Sequence, residues 1–242
     1  MTASREREIH ILHVIETLDV GGAETVVANI VNNTSPPFRA DICCLMRTGP
    51  IAARIRPDVK IMELGKVEGN DYRIPFRLAN ILRLRKIDIV QSHDWGTLLE
   101  TVTAATLAGT VAIHMAHGPT IHYPSTDRWG PLKRICRRKM ERLASVKLHR
   151  AIAVSEIVRR ELMEEIGIPI EKVVLIRNGI DLTPAPLGDL ATKRMQLGLS
   201  VDDILLVTVG RLAEIKNYPL LLEALAVAVE QAPTLKLAMV GD

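Results

Sequence analysis

The chain has 242 residues, of which 48% are hydrophobic and 24% charged, the balance of a folded globular protein of one or two domains. Its net charge of +3 is too small to indicate nucleic acid as a partner. No apolar run reaches the roughly 20 residues of a membrane-spanning helix, and the charged start, MTASREREIH, lacks the apolar segment of a signal peptide. These features predict a cytoplasmic protein, either soluble or peripheral on the inner face of the membrane.

Short β-rich runs alternate with helical patterns along the first three quarters of the chain. Strands are predicted at Ile9–Ile15, Ala40–Leu45, Val59–Leu64, Ile87–Ser92, Val111–Ala116, Ala151–Val154 and Val173–Ile176. Helices are predicted at Ala23–Asn32, Ile74–Arg85, Gly96–Ala108, Leu132–Val146 and Glu156–Ile166. This alternation predicts an α/β fold, a Rossmann-like parallel sheet with helices on both faces. Ligands of such sheets bind beyond the carboxyl ends of the strands.

A composition break follows at NGIDLTPAPLGDL, residues 178–190, which is rich in turn-forming residues. We therefore predict a first domain at 1–182, a linker with a short helix at 183–199, and a second domain at 200–242. The second domain reads as one βαβ unit, with strands at Ile204–Val209 and Leu235–Val240 around a helix at Pro219–Gln231. Because a domain usually has about 100–150 residues, the second Rossmann-like domain is expected to be truncated.

Two adjacent glycines, Gly21 and Gly22, separate the first strand from the first helix. Glycines allow close backbone approach, and a helix N-terminus offers free N–H groups, so the pair suits a diphosphate. The alternative is a tight turn capped by Glu24. The chain contains neither G-x-G-x-x-G nor G-x-x-x-x-G-K-[ST], which disfavours a dinucleotide oxidoreductase and a P-loop enzyme.

Polar residues follow three further strands. His93, in VQSHDWG, and His117, in HMAHGP, lie at equivalent strand ends, where a side chain points into a cleft unless it is a satisfied structural group. Arg211 and Lys216, in VGRLAEIKN, lie between a strand and a helix and could neutralise a pair of phosphates, although basic residues in loops are usually only solvated. The three cysteines, Cys43, Cys44 and Cys136, have no metal-ligand spacing, so reduced thiols and no metal site are expected.

Together these stretches resemble the retaining glycosyltransferases of family 4, which have the GT-B architecture of two Rossmann-like domains. The resemblance runs from about Ile9 to the last residue and is carried by GGAE, SHD, AHG, VGRLAEIKN and, most specifically, AVSEIVRRELMEEIGIPIEKVVLIRNGID. It implies transfer of a sugar from a nucleotide-diphospho-sugar to an acceptor hydroxyl with retention, without metal or other cofactor.

The resemblance also implies a role for each matched residue. The implied catalytic residues are His117, Arg211 and Lys216. The donor diphosphate would be held by Gly21, Gly22, Arg211 and Lys216. The acceptor cleft would contain Glu24, His93 and His117. In the family two glutamates eight positions apart hold the donor sugar later in the second domain, so a chain of this length is expected to be inactive alone. A non-catalytic acceptor- or membrane-binding remnant and a nucleotide-sugar epimerase remain as alternatives.

Two helices carry basic residues beside an apolar stripe. In Leu132–Val146 the stripe consists of Leu132, Ile135, Cys136, Leu143 and Val146. In the helix that begins at Ile74 the stripe includes Leu78, Ile81 and Leu82. A basic amphipathic helix can lie on an anionic membrane, so residues 132–146 are a candidate membrane contact. The alternative that we favour is that both stripes pack on the sheet.

Overall fold

A computed structural model describes residues 7–67, 71–118, 130–180, 182 and 188–241, without the side chains of 130–134, 137 and 138. The chain divides into two compact units, residues 1–180 and residues 181–242. Across the described ranges, no helix is long and apolar enough to cross a membrane.

The first unit contains a sheet of seven parallel strands in the order β3-β2-β1-β4-β5-β6-β7. The strands are β1 (Ile9–Thr17), β2 (Phe38–Arg47), β3 (Ile61–Glu63), β4 (Ile89–His93), β5 (Val111–Ala116), β6 (Arg150–Ala153) and β7 (Val173–Leu175). The order reverses at β1, so β1 and β4 are neighbours although two strands and two helices separate them along the chain. Because all strands are parallel, their carboxyl ends meet at one edge, which we call the carboxyl edge.

Five helices connect these strands, namely α1 (Gly22–Asn32), α2 (Ile74–Leu84), α3 (Trp95–Ala108), α4 (Gly130–Val146) and α5 (Glu156–Glu164). Alternate residues of a strand point to opposite faces of the sheet, and two core layers result. Leu12 and Val14 of β1 pack in a layer with α2, α3 and α5. Ile15 packs in a second layer with α1. Helices therefore cover both faces of the sheet, as the sequence predicts.

The apolar stripe of α2 lies in the core, as expected. Ile74, Leu78 and Leu82 are all at most 1% exposed and belong to the larger core layer. Pro75 at the start of α2 is compatible with the helix because the first N–H groups of a helix have no intrahelical partner.

The apolar stripe of α4 does not pack on the sheet, so the interpretation that we favoured for this helix is wrong. Ile135, Leu143 and Val146 are 53%, 72% and 63% exposed. Among the described side chains of this helix, Glu141 and Ser145 are the buried ones, and Ala144 packs partly buried against the core. A residue as small as serine lets the helix approach its neighbours closely. The Ser145 hydroxyl donates a hydrogen bond to the Arg142 carbonyl, so this buried hydroxyl has a partner inside the protein.

The second unit contains α6 (Leu190–Gln196), β8 (Ile204–Val209), α7 (Tyr218–Gln231) and β9 (Leu235–Val240). Strands β8 and β9 are parallel and pair in register from Ile204 with Leu235 to Val209 with Val240. Asp189 caps α6 by accepting hydrogen bonds from the first N–H groups of the helix. No described residue of this unit is buried.

The predicted elements agree with the structure within two residues at every end, and β5, β8 and β9 have the predicted bounds. β5, β8 and β9 each read as a short run of mostly apolar residues, which makes their limits visible in the sequence whether or not the strand is buried.

The difference in burial predicts a difference in local stability. Amides of β8 and β9 should exchange with solvent at least about 100-fold faster than amides of β1 and β4, because opening the second unit exposes little additional apolar surface. Hydrogen–deuterium exchange followed by mass spectrometry measures this directly. Equal protection of the two sheets would contradict the prediction.

Candidate functional site

The carboxyl edge of the seven-stranded sheet brings together most of the site residues that the sequence predicts. Gly21 and Gly22 follow β1, His93 ends β4, and His117 follows β5. Since β1, β4 and β5 are consecutive in the sheet, these residues belong to three neighbouring strand ends.

Helix α1 begins at Gly22, with Gly21 in an extended conformation before it. A Cβ atom at Gly21 would collide with the carboxylate of Glu24, which lies against this glycine. A Cβ at Gly22 would meet no atom within 4 Å. The turn therefore has a carboxylate on one glycine and open space at the other, and an incoming anion would meet the α1 N-terminus on the Gly22 side.

Three histidine rings form a continuous hydrogen-bonded row across the carboxyl edge. His13 Nδ1 lies 2.9 Å from His93 Nε2, and His93 Nδ1 lies 2.9 Å from His117 Nε2. The centroids of neighbouring rings are 5.2 Å apart in both pairs, and the second pair is stacked at 27°. We call these residues the histidine row. It places His117 through contacts that begin inside β1.

Burial keeps the histidine row neutral. His13 and His93 are 2% and 0% exposed, and His117 is half-buried. Desolvation lowers the pKa of His13 and of His117 to about 4, and it lowers the pKa of His93 well below the ordinary range. Near neutral pH the rings therefore act as polar but uncharged groups.

A fourth buried histidine lies beside the row without belonging to it. His114 of β5 pairs with the Ser92 hydroxyl at 2.9 Å, and its ring lies 5.1 Å from that of Trp95. Burial lowers its pKa to about 3. By strand alternation, Ser92 and His93 point to opposite faces of the sheet, so the His114 pair and the histidine row occupy opposite faces.

Asp94 has a strained backbone at the point where β4 passes into α3. Its φ of 60° and ψ of 164° lie in a region that L-residues rarely adopt. Its carboxylate accepts a hydrogen bond from the backbone N–H of His117, while burial raises its pKa. Asp94 thus ties the end of β4 to the residue that follows β5.

The N-terminus of α3 also faces a carboxylate of this edge. A Cβ atom at Gly96 would collide with the carboxylate of Glu16, at the end of β1. A negative charge at a helix N-terminus is favourable because the unpaired N–H groups there carry positive potential. Glu16 therefore occupies the N-terminus of α3, and the space beside Gly22 is the more open of the two helix starts.

Arg211 and Lys216 lie in the second unit, after β8. Arg211 comes before a 3-10 turn, Glu214–Lys216, and Lys216 is the last residue of that turn; both side chains are exposed. The Tyr218 hydroxyl donates a 3.0 Å hydrogen bond to the Gly210 carbonyl and holds the start of this loop. Neither cation has a carboxylate partner among the described residues of the chain.

Groups of three or more His, Cys, Asp or Glu that could hold a metal ion are absent from the ranges that the structure describes. Cys43 and Cys44 are buried in β2, where desolvation raises the pKa of each thiol to about 12. They are thiols of the core and not nucleophiles.

The sequence analysis missed His13 and Asp94. His13 lies between apolar residues in the ILHVI run of β1, which is a signal for a buried polar partner. Asp94 directly follows His93, so its position at a strand end was visible, whereas its backbone strain was not.

Comparisons with known proteins relate this architecture to a family. The model of the family described as Glycosyltransferase Family 4 matches residues 20–184, about two thirds of the chain. EpsF of Bacillus subtilis, which is named as a glycosyltransferase, is 26% identical over 256 residues that span the whole chain and 63% of EpsF. A D-inositol 3-phosphate glycosyltransferase of Actinosynnema mirum is 26% identical over 79% of the chain and 49% of that protein.

The crystal structure of HepE from Anabaena, in complex with UDP and glucose, superposes with a TM-score of 0.72 and 20% identity. The match covers 97% of this chain and 61% of HepE. It confirms the predicted fold class, α/β with a Rossmann-like parallel sheet of GT-B type. The chain spans less than two thirds of the length of these relatives.

The buried histidines predict a strong dependence of stability on acid. Their folded-state pKa values lie below the ordinary value of 6.5, so the unfolded chain binds more protons as the pH falls below about 6.5. The free energy of unfolding should fall from that pH down to about pH 4. Each such histidine contributes up to about 1.4 kcal/mol per pH unit. Urea unfolding at a series of pH values measures the slope.

Removing one of these histidines should flatten the slope. We expect His114→Phe to reduce the loss of unfolding free energy between pH 7 and pH 5, whereas the exposed His149→Gln serves as the matched control. An unfolding free energy that stays constant over this range would show that the histidines are not buried as neutral groups.

Proposed function

Because the chain belongs to Glycosyltransferase Family 4, we propose that it transfers a sugar from a nucleotide-diphospho-sugar to an acceptor hydroxyl with retention of configuration. The family match carries the reaction class. Arg211 and Lys216, which no described carboxylate pairs, and the polar carboxyl edge of the first sheet support the assignment of donor and acceptor groups.

The proposed donor site uses the two free cations. Arg211 offers a planar fork of N–H donors and Lys216 a compact charge, and together they match the two phosphates of a nucleotide-diphospho-sugar. Among the described residues, no carboxylate has to be displaced from either side chain when a diphosphate binds. HepE was crystallised with UDP-glucose, which supports a uridine nucleotide as the first donor to test.

The proposed sugar and acceptor site lies at the carboxyl edge. Gly22 leaves space at the N-terminus of α1, which suits an anionic group of the donor. His117 provides a neutral polar ring for sugar hydroxyls, and Glu24 adds a carboxylate to the proposed acceptor cleft. His93, which the resemblance also implies for this cleft, is 0% exposed and bonds both neighbours of the row, so it supports His117 from behind and does not contact the acceptor. The assignments of Gly22, His117 and Glu24 carry over the roles that the resemblance implies.

The proposed reaction is balanced without a cofactor or a metal ion. The bond between C1 of the donor sugar and the diphosphate oxygen breaks, and a bond between C1 and the acceptor oxygen forms on the same face. The proton of the acceptor hydroxyl passes to the leaving diphosphate. Negative charge grows on the diphosphate as the bond breaks, so fixed cations there stabilise the transition state more than the ground state.

Replacing one of the free cations should therefore lower turnover more than binding. We expect Arg211→Ala to reduce kcat by about 10²–10³-fold, the scale of losing one preorganised donor at a developing charge, and Lys216→Ala to act similarly. Nucleotide release with a panel of nucleotide-sugars and hydroxyl acceptors measures the rate. The anomeric coupling in the proton NMR spectrum of the product tests retention.

Lys236→Ala on β9 is the matched control, because Lys236 is an exposed cation of the same unit outside the loop after β8. Equal losses for Lys236→Ala and Lys216→Ala would remove the specific role of Lys216. Conversion of a nucleotide-sugar to its epimer without nucleotide release would overturn the transferase assignment in favour of an epimerase.

We further propose that α4 contacts an anionic membrane surface, where a lipid-linked acceptor would be found. The exposed stripe of Ile135, Leu143 and Val146 has no partner among the described residues of the first unit. The helix carries six basic residues and one acidic residue, and that acidic residue, Glu141, is buried. The exposed charges among the described side chains of α4, Lys139 and Arg142, are therefore both basic, which complements anionic lipid.

Vesicle co-sedimentation tests this contact. Binding should rise when phosphatidylserine is added to phosphatidylcholine vesicles and fall with salt. Lys139→Gln should weaken binding about fivefold, since one basic residue near the surface contributes roughly 1 kcal/mol.

Leu143→Ser should also weaken binding, while Ile157→Ser on α5 should not, although Ile157 is just as exposed, at 71%. Binding that ignores both lipid charge and salt would overturn the membrane contact, and so would equal effects of the two serine variants.

A further inference from the structure

The number of protons on the histidine row couples the directions of its two hydrogen bonds. A neutral imidazole carries one N–H and one lone pair, on opposite nitrogens of the ring. His93 uses both nitrogens within the row, Nε2 toward His13 and Nδ1 toward His117. If His93 donates through one nitrogen, it must accept through the other. The two hydrogen bonds therefore cannot choose their directions independently.

Only two neutral arrangements satisfy both hydrogen bonds. In the first, His13 Nδ1–H donates to His93 and His93 Nδ1–H donates to His117, which leaves the proton of His117 on Nδ1. In the second, every donor is reversed and all three rings carry their proton on Nε2. In either case the three rings share one tautomer, because the contacts run from Nδ1 to Nε2 in the same sense along the row.

The two free ends of the row decide between these arrangements. His13 Nε2 and His117 Nδ1 are both buried and lack a hydrogen-bond partner in the described ranges. The first arrangement leaves a lone pair at His13 and an N–H at His117, and the second does the opposite. Each arrangement thus leaves one buried N–H without a partner in the protein, which is tolerated least where no ligand can supply an acceptor. His13 is enclosed inside the sheet, whereas His117 is half-buried at the edge where ligands bind.

We propose that His13 and His93 are positioning residues that hold His117 in its neutral Nδ1–H tautomer, so that His117 offers an N–H donor to an oxygen of a bound sugar. This rests on the sugar transfer proposed above. Sugar hydroxyl and ring oxygens accept hydrogen bonds, and a donor whose direction is fixed before binding loses little freedom when the sugar arrives. The backbone of the same residue is held by Asp94, so its ring and main chain are both fixed.

A charged row is the remaining arrangement, with His93 as a cation that donates to both neighbours. It would leave a full positive charge at a residue that is 0% exposed. The described part of the chain places no carboxylate in hydrogen-bond contact with any of the three rings. Burying an unpaired charge costs far more than burying a polar group, so the neutral form is the one that the fold supports.

Long-range ¹H–¹⁵N NMR of the imidazole rings in the 242-residue chain tests the proposal before any ligand is added. The expected spectrum at neutral pH shows His13, His93 and His117 as neutral rings with the proton on Nδ1. An Nε2–H tautomer on His117, a mixture of tautomers along the row, or an imidazolium at His93 would each overturn the proposal. This measurement needs no variant and is independent of activity.

Single variants separate positioning from simple structural loss. In His93→Phe, and also in His13→Phe, His117 should lose its pure Nδ1–H form, although His13 makes no direct contact with His117. His114→Phe is the matched control, because His114 is equally buried but is hydrogen-bonded to Ser92 outside the row. An unchanged His117 tautomer in a folded His93→Phe chain would overturn the positioning role.

A titration with UDP-glucose then distinguishes failure of this inference from failure of the proposed function. The Nδ1 proton resonance of His117 should shift on binding, and His93→Phe should weaken binding about 3- to 10-fold, the size expected for one neutral hydrogen bond. A fixed Nδ1–H tautomer with no response to UDP-glucose would refute the sugar contact but not the positioning of the tautomer by His13 and His93. A shift of the His117 resonance without a fixed tautomer would support the proposed function and refute the positioning role.

Discussion

A hydrogen bond between two buried imidazoles, His13 on β1 and His93 on β4, sets the arrangement of the carboxyl edge. The sheet order makes these strands neighbours, and helices cover both faces of the sheet, so a polar side chain inside it must find its partner on an adjacent strand. His117 lies beyond the end of β5, and its ring is held by the next hydrogen bond of the row. The first contact of the row, deep in the sheet, thus orients a residue at its edge.

The neutrality of the row links its stability to its chemistry. An uncharged imidazole can be buried at modest cost if its nitrogens are paired, whereas a cation cannot. The consequence appears at low pH. There the rings of the unfolded chain bind protons that the buried rings cannot, so the free energy of unfolding falls. A neutral imidazole still has one N–H, so it can donate to a sugar oxygen without a positive charge. The neutral rings, the loss of stability in acid and the fixed N–H donor therefore all follow from the burial of the row.

The sequence predicts the strands and helices well because their signals are local. Val111–Ala116 is an apolar run bounded by turn residues, and the structure gives it the same limits. His93 and His117 could be found because each follows an apolar run. The importance of His13 depends on the neighbour relation of β1 and β4, which no local pattern contains. The helical wheel of α4 shows which side is apolar but not which side faces the protein, and that is where the prediction was wrong.

Some cations of the first unit are paired with carboxylates, and Arg211 and Lys216 differ from these in a way that bears on anion binding. In the first unit Arg39 and Arg85 lie 3.8 Å from the buried Asp41, and Lys66 pairs with Glu100. Such a side chain would have to give up its carboxylate before it could hold a phosphate, which cancels much of the Coulomb gain. Arg211 and Lys216 have no carboxylate partner among the described residues. Exposure keeps both cations hydrated, so a diphosphate competes there with water and not with an internal acid.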